Sequence, residues 1–196
     1  MQEELRKLIE ENRRVMEEII SYGSLPLGEE SADGMTARVV SEEFRTLEDL
    51  RAYLCGIYTP EEAERLLTDG DIGGPQYIEK DGQLWYDLQW IIGGAPCPWK
   101  SWTAEPEKLP ADGERADITV RVIFDTGEPD PDEEEEELTG TYHLTAVRTD
   151  AGWRLEKMAD TPDEWLVTYE DEETAEEAPE EEEAAGEELP EADEEA

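Results

Sequence analysis

Between Phe44 and Trp90 the local rules leave few conformations open. Thr46 with Asp49, and Thr59 with Glu62, have the spacing in which a hydroxyl caps a helix while the acidic side chain reaches back. Pro60 takes a first helical position, where its missing N–H costs nothing. Leu47, Leu50, Leu54 and Tyr58 recur on one helical face, and Ala63, Leu66 and Leu67 do so in the next segment. Beyond a Gly-rich break at 70–74, Tyr77 and Ile78 lead into Asp81-Gly82, a pair suited to the positive φ angles of a tight hairpin, and Leu84, Trp85 and Tyr86 lead out. Helix, helix, hairpin predicts an α+β domain.

The remaining segments extend this reading. Residues 3–22 predict an amphipathic helix, with Leu5, Leu8, Ile9, Val15, Met16, Ile19 and Ile20 on its apolar stripe and Gly23 placed to end it. Residues 25–34 read as a loop and 35–40 as a short strand. Residues 97–102 read as a short edge strand, because the nearby prolines forbid a central place in a sheet. A Pro-containing loop follows at 105–114. Ile118, Val120, Val122 and Phe124 alternate with Thr119, Arg121 and Ile123 as in a half-buried strand. Strands at 140–149 and 152–158 complete an antiparallel meander. The expected architecture is N-terminal helices (1–70) packed on a curled antiparallel sheet (71–160), a cystatin-like or NTF2-like roll, with an acidic disordered tail (161–196).

Charge bounds the function. Of the net charge of −40, the segment from Glu170 onward, with sixteen acids and no base, accounts for −16 and the rest for −24. Such a tail cannot bury enough apolar area to offset an ordering entropy of roughly 1–2 kcal/mol per residue. The acidic body argues against nucleic acid, whose phosphates require clustered Lys and Arg, and against anionic membranes. A cationic partner, or charge that serves only to keep the chain dispersed, suits it. No run approaches the length of about 20 apolar residues that spans a bilayer, and the N-terminus lacks the apolar core of a signal peptide.

The order Phe44, Leu47, Leu50, Tyr53, Leu54, Tyr58, Thr59, Ala63, Leu66, Leu67, Tyr77, Asp81, Gly82, Leu84 resembles the IseA family of DL-endopeptidase inhibitors, secreted bacterial proteins with a cystatin-like sheet. With the later strands, the likeness covers about residues 38–158. It implies a non-enzymatic, extracellular or cell-surface protein, expected as a monomer, that blocks cell-wall peptidases of the NlpC/P60 type. On that basis the chain would need an export signal removed from this sequence or supplied by a longer protein. An accessory or sensory surface domain without inhibitory activity, and a small-molecule-binding roll with a pocket between sheet and helices, are the alternatives.

Candidate contact residues are the tryptophans beside Gly/Pro breaks, Trp90, Trp99 and Trp102, since aromatics are enriched at interfaces, and the acidic loop residues Asp130, Asp132, Glu133 and Glu134. Trp85 and Trp153 read as core, and Trp165 as a tether for the start of the tail. No catalytic or metal set is expected. His143 and Cys97 could form a nucleophile pair only if the fold joined them. The run at 130–137 lacks the alternating ligands and central Gly of an EF-hand. One His and two distant Cys offer no zinc cluster, and Gly70–Gly74 and Gly93-Gly94 fit no nucleotide loop, so no cofactor is expected. For Cys55 and Cys97, a disulfide and two thiols are equally compatible with the spacing.

Overall fold

The computed structural model describes residues 2–21, 24–69, 74–90, 98–108, 113–127 and 136–169. Helix α1 (Gln2–Arg14) buries Leu5, Leu8 and Ile9 and runs into a π-helical turn, Val15–Ile19. That turn closes with the Ile20 N–H donating to the Val15 carbonyl at 2.6 Å. The wider turn leaves the Ile19 carbonyl to the Tyr77 hydroxyl, which donates to it at 2.6 Å and accepts from the Leu25 N–H at 3.1 Å. Burial pushes the Tyr77 phenol above its ordinary pKa, so it holds this junction as a neutral group.

Helices α2 (Leu47–Ile57) and α3 (Pro60–Thr68) begin at the predicted caps. Thr46 forms the full capping box: its hydroxyl accepts from the Asp49 N–H at 3.1 Å, and the Asp49 carboxylate accepts from the Thr46 N–H at 2.9 Å. At Thr59 only half forms, with the Glu62 N–H 3.4 Å from the hydroxyl. The Glu62 carboxylate, expected to answer the cap, is instead buried and accepts from Arg65 Nε at 2.7 Å and the Met158 N–H at 2.8 Å.

The strands form two antiparallel sheets. In the smaller, β1 (Leu27–Glu30), β2 (Thr36–Val39), β4 (Gln83–Asp87) and β3 (Tyr77–Lys80) lie in that order. Asp81 and Gly82 supply the turn between β3 and β4 with φ of 52° and 70°. Two expectations are corrected here. Residues 27–30 are a strand, not loop, because their backbone pairs with β2. The hairpin does not extend the later meander but pairs with β2, Ala37 facing Tyr86, so the N-terminal part to residue 70 contributes strands as well as helices.

The larger sheet, a strongly curled half-barrel, has the order β5 (Trp99–Lys108), β6 (Arg115–Phe124), β7 (Glu136–Thr149), β8 (Gly152–Leu155). Strand β9 (Glu164–Tyr169) lies beside the N-terminal half of β7, on the edge whose C-terminal half β8 occupies. The β6 alternation is as expected, with Ala116, Ile118, Val120, Val122 and Phe124 buried. Strand β5 sits at an edge, as the prolines require, yet extends through Pro106 to Lys108, where a register shift absorbs the missing donor. The loop expected from 105 is corrected accordingly. So is the disordered tail expected from 161, since 164–169 are strand; the residues beyond lie outside those described.

Helices and half-barrel share one apolar core. The junction between α2 and α3 is stitched to β8: the Thr59 N–H donates to the Leu155 carbonyl at 2.9 Å, and Arg154 Nε donates to the Cys55 carbonyl at 2.7 Å. Asn12, on the buried stripe of α1, grips the return after β8. Its Nδ2 donates to the Ala159 carbonyl at 3.3 Å, while its Oδ1 accepts from the Ala159 N–H at 3.1 Å and from the Tyr58 hydroxyl at 3.0 Å.

Candidate functional site

The expected contact tryptophans are distributed over different surfaces. Trp99 is 2% exposed, packed on Tyr142 with ring centroids 5.2 Å apart, and its backbone N–H donates to Glu17 Oε1 at 2.9 Å. Its assignment as a contact residue is corrected by that burial. Trp102 is half-buried and seals β5 against α1: its Nε1 donates to Glu10 Oε1 at 3.1 Å, and the Arg6 guanidinium lies 5.1 Å from its ring centre. Trp90 belongs to the end of the small sheet, where its Nε1 donates to the Pro75 carbonyl at 3.1 Å. Asp130, Asp132, Glu133 and Glu134 lie outside the described residues, as does Cys97. Trp153 is core as expected, whereas Trp85 is half-buried, with the Lys80 ammonium 5.6 Å from its ring centre.

Among the described residues, exposed large apolar side chains lie elsewhere: Met35 and Val40 singly at the two ends of β2, and three in succession on β9. Trp165, Leu166 and Val167 are 52%, 60% and 43% exposed. Trp165 stacks on Phe124 at 5.0 Å between centroids, which anchors the strand and gives Trp165 the tethering place expected of it. Gly140, opposite Trp165 in the register, keeps room for this stack, because a Cβ there would lie 2.7 Å from Phe124 Cε2 and 2.9 Å from Pro162 Cγ. The strand arrives through Asp163, whose Oδ2 accepts from the His143 N–H at 2.6 Å.

Beside β9 a groove of about 590 Å³ crosses β5, β6 and β7. Its side chains come from positions that alternate with the core: Ser101, Thr103, Arg121, Ile123, Thr139 and Thr141, with Glu137, Glu164 and Leu166 toward β9. Arg121, exposed, makes no ion pair among the described residues and gives the floor a single positive charge between acidic rims. The groove thus combines hydroxyls, one guanidinium and an apolar wall along β9.

His143 is exposed, with Nδ1 3.3 Å from the Thr119 hydroxyl. Among the described residues no three His, Cys, Asp or Glu side chains are grouped to hold a metal ion, and no helix is long and apolar enough to cross a membrane.

The residues that sequence reasoning missed are Leu166 and Val167, the Gly140 clearance and the buried Asn12 and Glu62. A signal existed for the first: Trp165, Val167, Thr168 and Tyr169 are β-formers within five residues. Compared with protein-family models the chain matches none, and a search of the curated proteins gives no match.

Proposed function

We propose that the protein is a non-enzymatic, extracytoplasmic binding protein that inhibits cell-wall DL-endopeptidases of the NlpC/P60 type, the role implied by the resemblance of residues 44–84 to the IseA inhibitors. The observation that carries the binding reading is the exposed Trp165-Leu166-Val167 edge beside a groove in the half-barrel. An apolar strip with a polar rim supports a protein contact better than it supports solubility. The acidic body would speed encounter with a basic enzyme and make the association weaken as salt rises.

Digestion of peptidoglycan by a purified NlpC/P60 peptidase, with increasing amounts of this protein, tests the reading. Turnover should fall to a plateau, and half-inhibition should shift to higher protein concentration with added salt. Undiminished turnover at large excess ends the inhibitor assignment and leaves an accessory surface domain.

A further inference from the structure

Sheet edges are hazardous, and proteins blunt them with short strands, Lys, Pro, bulges or inward charges. Every other edge strand described here carries such a device. Strand β5 has Lys100, Pro106 and two register shifts; β1 has a register shift and two glutamates; β3 and β8 are four residues long, with Glu79 and Lys80 in β3 and Arg154 in β8. Strand β9 differs. It is six residues long, pairs among the described residues with β7 alone, in unbroken register, contains neither Pro nor Lys, and has Glu164 as its sole charge. Three successive exposed side chains, Trp165, Leu166 and Val167, are apolar.

The charge around it selects what could pair there. Tyr169 faces Glu136 in the register, and in the sequence 128–135 directly precede Glu136 while 170–196 directly follow Tyr169. Those stretches hold six and sixteen acidic residues and no basic one. Asp163 and Glu164 mark the other end of the strand. The chain's own continuation is a poor occupant, because 170–196 contains a single large apolar residue, Leu189. A second copy would bring the same acids, and a like net charge of −40, to the contact.

We infer that the open edge of β9 accepts an extended, basic segment of a protein partner as an added β-strand. Main-chain hydrogen bonds to β9 would supply affinity, apolar side chains of the segment would pack beside Trp165, Leu166 and Val167, and its Lys or Arg residues would answer Glu137, Asp163 and Glu164. The inference deepens the binding reading above and rests on it, but it is separable from peptidase inhibition. Inhibition without strand addition would sink this proposal alone; strand addition without inhibition would sink only the inhibitor assignment.

The test uses the full chain and a ten-residue peptide alternating Lys with Val or Tyr, beside a twin N-methylated at its six central amides. The twin keeps charge and side chains but cannot join a ladder. The unmodified peptide should bind about tenfold or more tighter than its twin, as expected for loss of one or two net hydrogen bonds. It should also slow amide exchange within 164–169. Leu166→Lys, at an exposed position that folding tolerates, should weaken it several-fold with an unchanged melting temperature. Equal binding of the two peptides, no binding of either, or no protection in β9 overturns the proposal. Concentration-dependent dimerisation through β9 in the absence of peptide would assign the edge to a second copy instead, and would overturn it too.

Discussion

Asn12→Ala should be among the most damaging single substitutions in this protein. Asn12 lies wholly buried on α1 and engages both the N–H and the carbonyl of Ala159 together with the Tyr58 hydroxyl. Truncation removes three hydrogen bonds, each worth about 1 kcal/mol net, and leaves buried backbone groups that cost about 1–3 kcal/mol apiece when unsatisfied. Partial relaxation toward water brings the expected loss to roughly 3–5 kcal/mol, a large share of a total stability of about 5–15 kcal/mol. Urea unfolding followed by tryptophan fluorescence reads this directly. Amide exchange at Ala159 provides the local control, since its protection should collapse before that of β6. A loss under about 1 kcal/mol would refute the claim that Asn12 holds the 156–160 return in place.

Gly140→Ala forces a Cβ to 2.7 Å from the Phe124 ring, which should cost about 1–3 kcal/mol and raise acrylamide quenching of Trp165 fluorescence as the stack opens. Deleting 170–196 should leave the thermal midpoint within about 2 °C, whereas deleting 164–196 exposes Phe124 and forfeits the half-burial of Trp165, roughly 2–3 kcal/mol or a fall of about 5–10 °C. Asp49 is held below the usual carboxylate pKa by the Thr46 hydroxyl first and by the Thr46 and Arg45 N–H groups. Because the folded value is depressed, its contribution is present above the unfolded pKa of about 3.9 and is lost as pH falls through the folded one. Asp49→Asn should therefore narrow its stability gap to wild type on acidification below about pH 4 in paired thermal scans; a gap constant with pH would contradict the capping role.

What could be read in the chain beforehand was whatever depends on near neighbours. The Thr46–Asp49 box, the Asp81-Gly82 turn and the β6 alternation each span a few residues, and each is found in place. Pairings between distant segments had no such signature: nothing in residues 36–38 announces that they face 85–87. Composition misled twice. Trp165, Val167, Thr168 and Tyr169 are β-formers that the sixteen acids after them disguise as tail, and Pro106 suggests a loop although an edge with a register shift accommodates it. Glu62 had capping-box spacing, yet its carboxylate serves Met158, ninety-six residues away. Asn12 was visible as a polar interruption four residues after Leu8 and three after Ile9 on an apolar stripe, a pattern that marks a buried polar node. For the candidate site, Trp165 was noticed and its exposed neighbours were not, since solvent exposure is a property of the assembled edge.

The widened turn at Val15–Ile19 matters for how the two sheets are geared together. A π-turn is one residue longer than the α-helical path it replaces, so it advances the end of the first helix by a fraction of a rotation. Glu10 before the turn and Glu17 within it engage Trp102 and Trp99 of the half-barrel, while Ile19 at its end presents its carbonyl to Tyr77 of the small sheet. Among the described residues no ladder joins the sheets; a single shaft with one extra tooth sets their phase, and shortening that shaft by one residue would leave each sheet intact but mesh them wrongly.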